Sequence, residues 1–318
     1  MQITRGIIPS AVKTLVYGSE GIGKSTLASK WPNPLFIDTE GSTKQMDVAR
    51  LPTPATWDDL LSEVKFVYQN PECCKTLVID TLDWAEILCI EQIFNGMGLE
   101  SPGYGKGYQM LAEKFRKLLV ELDTVIAAGI HVVCTAHAQM RKFEQPDEMG
   151  AYDRWELKLQ KKTAPLVKEW ADMILFCNYK TIVVNVDGQG AVKGKNKAQG
   201  GKRVMYTSHH NCWDAKNRYG LKDQLPMAYE SISSVIGDIP KPEPKWKKLQ
   251  DIMQATNVEE FDLQNLVGLK GWAASTTDIK DYSNDLIDFL LGDWGKVKEK
   301  IIETKNQEEI PFEVEGEN

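Results

Sequence analysis

One octet constrains this chain more than any other stretch: Gly18-Ser19-Glu20-Gly21-Ile22-Gly23-Lys24-Ser25, followed by Thr26. It meets every fixed position of the spacing G-x-x-x-x-G-K-[ST]. The apolar run Lys13-Thr14-Leu15-Val16-Tyr17 before it reads as a buried strand, and Ser25 to Trp31 reads as one or two helical turns. Strand, glycine-rich loop and helix form the context in which backbone N–H groups turn inward to meet a triphosphate. In that chemistry Lys24 reaches the β- and γ-phosphates and the Ser25 hydroxyl holds Mg²⁺. Residues 18–26 are therefore expected to bind ATP with Mg²⁺.

Pro34 to Ile37 is a second apolar run, ending in Asp38-Thr39-Glu40-Gly41. Thr56 to Gln69 carries Leu60, Leu61, Val64, Val67 and Tyr68 at helical spacing, with Asp58 and Asp59 in its first turn. Lys75 to Asp80 reads as a third buried strand, Trp84–Phe94 and Tyr108–Ile126 as amphipathic helices, and Ile130–Ala136 as a fourth strand. A flexible loop is expected over Gly96–Gly107 and a polar loop from His137 to about Lys158. A helix from Gln160 to Trp170 and a fifth strand from Ala171 to Cys177 follow. The alternation predicts an α/β fold, with a mostly parallel central sheet flanked by helices on both faces. Shorter strands are expected at Thr181–Val186, Arg203–Thr207 and Cys212–Ala215, with the Lys- and Gly-rich insert Gly188–Lys202 joining the first two.

Pro240-Lys241-Pro242-Glu243-Pro244 reads as a stiff polar linker. The expected organisation is a core over 1–239, a linker over 240–245, a small helical C-terminal module over 246–302 and an acidic, disordered tail over 303–318. Charge follows the same division. Residues 241–318 hold ten Lys against seventeen Asp and Glu, which accounts for the whole net charge of −7 and leaves residues 1–240 neutral. Neutrality does not exclude nucleic acid, because a local basic channel suffices. The six cysteines include no C-x-x-C pair, which argues against zinc and a disulfide framework. No apolar run approaches the ~20 residues of a membrane span, and Met1 to Arg5 lacks a signal-peptide pattern. A cytoplasmic protein without a membrane partner is expected.

A triphosphatase needs a second acid for the Mg²⁺ shell, and Asp80, ending Leu77-Val78-Ile79-Asp80, suits it. The next residue is Thr81, so the carboxylate that orients water must come from elsewhere. Glu40 ends the neighbouring strand at the same sheet edge, where ligands of such sheets bind. His137 follows the fourth strand at that edge and could sense the γ-phosphate.

Together these residues resemble the RecA/DnaB class of P-loop ATPases, and more closely the phage-encoded RecA-like ATPases that act as recombinases or single-strand annealing partners. The resemblance spans about residues 10–235 and implies a RecA-like P-loop NTPase core over 1–239. In RecA-like proteins the segment after the second strand reads Phe-Ile-Asp-x-Glu, as Phe36-Ile37-Asp38-Thr39-Glu40 does, which implies Glu40 as the catalytic carboxylate. His137 resembles the Gln or His sensor. Ala215-Lys216-Asn217-Arg218-Tyr219-Gly220 resembles the Ala-Lys-x-Arg-x-Gly element whose Lys and Arg reach a neighbouring subunit's γ-phosphate. That implies a homo-oligomer, ring or filament, with ATP between subunits, in the host cytosol if the chain is phage-encoded. Physically, cations at i and i+2 of a strand share a face and can stabilise charge developing on γ-oxygens.

The loop after His137 carries Arg141, Lys142, Phe143, Arg154, Trp155 and Lys158, with Lys161 and Lys162 just beyond. Cations interleaved with aromatics can track phosphates and stack bases, so single-stranded DNA is the expected partner. Lys193, Lys195, Lys197, Lys202 and Arg203 are a second candidate surface. The C-terminal module has little basic surface and is expected to bind a partner, such as a single-strand-binding or replication protein. Gln307-Glu308-Glu309-Ile310-Pro311-Phe312 resembles the acidic tip of bacterial single-strand-binding proteins. Two other readings stand beside an ATPase working on single-stranded DNA in phage recombination or replication. One is a hexameric helicase-type motor, which usually carries a domain before its P-loop. The other is a nucleotide switch or assembly scaffold without DNA.

Overall fold

The structure is a computed structural model and describes residues 3–94, 106–145, 149–185, 196–237, 239 and 244–308. The chain divides into two compact units, Met1–Lys241 and Pro242–Asn318.

Both faces of the first unit's sheet are buried, which is why its strands read as unbroken apolar runs. Strand β1 (Lys13–Gly18) leads through the Gly-rich loop into helix α1 (Lys24–Ala28). Strand β2 (Pro34–Asp38) and the two-residue β3 (Ala49–Arg50) precede helix α2 (Trp57–Gln69), whose start is closed by a capping box of Thr56 and Asp59. Next come β4 (Thr76–Asp80), α3 (Leu82–Phe94), α4 (Lys106–Ala127), β5 (His131–Glu144), β6 (Ala151–Leu157), α5 (Thr163–Trp170) and β7 (Met173–Asn185). Five strands lie parallel in the order β7-β1-β5-β4-β2, with β3 outside β2. On the other side β8 (Asn196–Tyr206) and β9 (Lys216–Asn217) add antiparallel to β7, and β10 (Gln224–Pro226) to β8. This is the α/β fold the alternation predicts.

Alternate residues serve different cores. Leu15, Tyr17, Ile37, Leu77, Ile79, Val132 and Cys134 pack with α2, α3, α4 and α5. Val16, Phe36, Val78, Val133 and Leu175 face the other way, against Leu27 and Ala28 of α1 and against Ile232 and Ile236. That second side is closed by one short helix and the 3₁₀ turns Tyr229–Ser231 and Ser233–Val235, a thinner layer than the first.

Several elements depart from the sequence expectation. The expected polar loop after His137 is a β-hairpin: β5 continues to Glu144 and pairs with β6 from Ala138↔Leu157 to Glu144↔Ala151. Cross-strand contacts hold it, including Phe143 against Tyr152 at 5.6 Å and Arg141 to Glu156 at 3.8 Å. The expected strands at 171–177 and 181–186 are one strand, β7, with a bulge between Lys180 and Thr181. Gly200 faces that bulge at φ 114°, where an added Cβ would stand 2.3 Å from the Lys180 carbonyl oxygen. Cys212–Ala215 forms no strand; Trp213 makes single bridges to Trp155 and His210 instead.

The second unit contains helices α6 (Lys245–Ala255), α7 (Glu260–Leu269), α8 (Asn284–Gly292) and α9 (Trp294–Glu308). Leu249, Met253, Leu263, Leu266, Val267, Ile287 and Leu290 form its core. Residues 303–308, expected in the tail, are the last turns of α9. Most of the expected loop at 96–107, Lys193, Lys195, residues 240–243 of the linker and Ile310-Pro311-Phe312 lie outside the described residues.

Candidate nucleotide site

The P-loop is shaped by backbone requirements that only glycine meets cheaply. Gly21 and Gly23 are left-handed at φ 71° and 103°. A Cβ on Gly18 would stand 2.2 Å from the Cys177 carbonyl oxygen, so the close approach of β7 to β1 excludes a side chain there. Lys24 is buried and donates to the carbonyls of Gly18 (3.3 Å) and Ser19 (3.0 Å). Burial lowers its pKa, against the opposing pull of Asp83 and Asp80. Ile22 is fully buried under the loop, whereas Glu20 and Thr26 are exposed, and Glu20 meets Lys158 at 3.7 Å.

Register brings the expected acids to this loop. Gly18 lies opposite His137 on β5, and Asp38 opposite Asp80 across β2 and β4. Asp80 is fully buried and accepts a short hydrogen bond from the Thr135 hydroxyl. Burial raises its pKa, opposed by the hydroxyls of Ser25 and Thr135. Its Oδ2 is buried without a hydrogen-bond partner among the described residues. A carboxylate oxygen held dry beside the Ser25 hydroxyl is a donor set that fits Mg²⁺, which takes one or two protein oxygens and completes its shell with phosphates and water.

Glu40 follows the tip of β2, where its backbone N–H donates to the Asp80 carbonyl at 3.3 Å. Burial raises its carboxyl pKa; Asp80 and Asp83 push the same way, while His137 and Lys24 oppose. Five groups thus act on one another at one edge: Lys24, Glu40, Asp80, Asp83 and His137.

Asp83 is a site residue the sequence reading passes over. It accepts from the His137 backbone N–H at 2.9 Å and pairs with Nδ1 at 2.7 Å. Burial would raise the Asp83 carboxyl, but hydrogen bonds from His137 outweigh it and hold it below the usual range. An ionised carboxylate only accepts, so Nδ1 carries the proton and Nε2 is left for another partner. The sequence signal was Asp83's position in the first turn of α3, three residues after Asp80. Asp38 is the second omission. Its carboxylate accepts from the N–H groups of Gly41 (2.7 Å), Ser42 (3.2 Å) and Thr43 (2.8 Å) and from the Thr43 hydroxyl (2.6 Å). Those bonds fix the turn that presents Glu40.

The remaining expected residues fall elsewhere. Lys216 lies opposite Ile174 near the start of β7, below the level of Gly18. Its ammonium donates to the carbonyls of Lys168 (3.2 Å), Glu169 (3.1 Å) and Ala171 (2.6 Å), closing the end of α5. Arg218 pairs with Asp172 at 2.6 Å, with its side chain 60% exposed. The two cations do not act as a matched pair, because three carbonyls consume every donor of Lys216.

Two expected DNA contacts are corrected. Arg154 is buried and pairs with Asp214, which also meets Lys168 at 2.8 Å. The Trp155 ring packs on the core, 6.1 Å from the Phe176 ring, and the Trp155 backbone N–H donates to the Cys212 carbonyl at 2.8 Å. Both side chains are consumed in seating β6. Arg141 is half-buried and bonds Leu159 and Glu156, and Phe143 is half-buried against Tyr152. Lys142 and Lys158 are exposed, as are Lys161 and Lys162.

A parallel sheet that sets a P-loop strand between β5 and β7, with an acid at the tip of β4, defines a P-loop nucleoside triphosphatase. The family model described as AAA domain matches residues 10–219, and the chain belongs to that family of ATPases. Among similar solved structures is the flagellar accessory protein FlaH from Methanocaldococcus jannaschii. It is 12% identical, with 74% of this chain and 91% of that chain covered and a TM-score of 0.33. No curated protein sequence matches the chain. Among the described residues no helix is long and apolar enough to cross a membrane.

Proposed function

We propose that this chain hydrolyses ATP with Mg²⁺ at a site completed by a second copy, and applies the cycle to single-stranded DNA through the β5–β6 hairpin. The convergence of Glu40, Asp80, Asp83, His137 and Lys24 beside the P-loop carries this reading. Ser25 and Asp80 would hold Mg²⁺, which supplies charge neutralisation on the β- and γ-phosphates. Loop N–H groups and Lys24 bind the polyphosphate. Glu40 accepts a proton from the water that attacks the γ-phosphorus; the bond from that phosphorus to the β,γ-bridging oxygen breaks, and ADP and phosphate form. Burial makes the Glu40 carboxylate a stronger proton acceptor than one in water. Asp83 holds the His137 ring through Nδ1; Nε2 would donate to the γ-phosphate in the imidazolium form and accept from water in the neutral one.

Glu40→Gln is expected to keep ATP binding and lose turnover by about 10²–10³-fold, read in a phosphate-release assay. Unchanged turnover would remove Glu40 from this role. Lys24→Ala is expected to weaken binding as well.

Arg218 is the proposed trans cation. Opening its exposed ion pair with Asp172 costs little. Mixing Arg218→Ala with Lys24→Ala copies should restore hydrolysis above either alone, and no recovery from mixtures that assemble would count against it. The DNA part is supported by the exposed Lys142, Lys158, Lys161 and Lys162 near the hairpin. It requires salt-sensitive binding of a labelled oligonucleotide with ATP and Mg²⁺; no binding at low salt leaves the nucleotide-switch reading.

A further inference from the structure

We propose that Arg203 binds nucleotide in cis, bracing the P-loop and contacting the polyphosphate held by its own chain; this rests on the triphosphate reading above. The sequence groups Arg203 with a basic insert. Strand register separates it from that insert. On β7, Cys177 lies opposite Gly18 of β1; two residues further along, Tyr179 lies opposite Arg203 of β8. Arg203 therefore emerges just beyond the level where β1 turns into the P-loop.

The contact is direct. Arg203 Nη1 donates to the Ile22 carbonyl at 3.3 Å. The same nitrogen lies 2.7 Å from the place a Cβ on residue 23 would occupy, so glycine there leaves room for the guanidinium. The backbone behind it is fixed. The Arg203 carbonyl accepts from Met227 N–H at 3.2 Å, and the next two residues, Val204 and Met205, are buried.

Among the described residues no carboxylate lies within ion-pair distance of Arg203, whereas Arg141, Arg154 and Arg218 each face one. A guanidinium has five N–H donors in a planar fork suited to phosphate oxygens, and the Ile22 carbonyl takes only one. Lys24 and Arg203 thus bring two cations, neither ion-paired with a described carboxylate, to a loop that binds anions.

The test uses the full chain with Arg203→Ala, Arg203→Lys and Arg203→Gln, titrated with fluorescent ADP and ATP analogues in Mg²⁺ at two salt concentrations. Arg203→Ala should weaken both nucleotides by about 10- to 100-fold, the loss of a charge-assisted hydrogen bond. Arg203→Lys should recover part of that loss, the deficit should shrink as salt rises, and melting without nucleotide should stay unchanged. Wild-type affinity in Arg203→Ala and Arg203→Gln overturns the inference and leaves the ATPase reading intact. A salt-independent deficit reduces Arg203 to a loop brace and overturns the phosphate contact. Weaker oligonucleotide binding with unchanged nucleotide binding assigns it to a nucleic-acid surface instead. A wild-type chain that binds neither nucleotide defeats the ATPase reading itself, and this inference with it.

Discussion

The tips of β2, β4 and β5 and the hairpin that continues β5 are built on opposite principles. At the tips, two acids are left partly unmet among the described residues: Asp80 has an orphan oxygen and Glu40 is half-buried beside other acids. In the hairpin, the two arginines each face a carboxylate, Arg154 that of Asp214 and Arg141 that of Glu156. An unmet buried charge costs stability and is suited to receiving a ligand, whereas a met one holds two segments together. Cations in a sequence therefore say less about nucleic acid than their pairing does.

The contrast is broken most severely at Arg154. Arg154→Ala should cost about 2–4 kcal/mol by chemical denaturation, because it strips a buried partner from Asp214 and frees β6. A loss below 0.5 kcal/mol would return Arg154 to the list of surface contacts. Glu86 sharpens the joint between the regions. On α3 it accepts from Gln160 N–H at 3.0 Å, just past the hairpin, and burial pushes it up to about 7. A carboxyl raised in the folded state contributes stability that is present below its unfolded value near 4.5 and lost as pH rises through about 7. Glu86→Gln should melt like wild type near pH 4 and gain up to about 3 kcal/mol by pH 8. A difference that does not vary with pH would refute the titration. The smallest effect belongs to Lys142, exposed on the hairpin. Lys142→Ala should change stability by less than about 0.5 kcal/mol and, on the DNA reading, weaken oligonucleotide binding measurably at low salt.

What the sequence discloses follows the same division. The P-loop, Asp80 and Glu40 are legible because a spacing or a strand end marks them, and the sheet because burial on both faces leaves apolar runs. The hairpin is illegible because its strands mix charge with half-buried aromatics, as in Arg141-Lys142-Phe143-Glu144 against Ala151-Tyr152-Asp153-Arg154. It is held by cross-strand pairs rather than by an apolar face, so composition alone marks it as a loop. Arg203 is misplaced for a related reason. Only the pairing of β8 with β7 shows that a residue distant along the chain stands over Ile22. Asp38 and Asp83 act through other residues, and no spacing rule marks such roles.

The thin side of the sheet has a further consequence. Its cover, α1, opens with Lys24, so thermal breathing of that layer and loosening of the phosphate grip are a single event. Bound nucleotide acts as an added lamina there, favouring the closed form by mass action. Backbone amides of α1 and of residues 229–236 should therefore exchange with deuterium faster than those of α2 to α4, and slow the most when ATP is added.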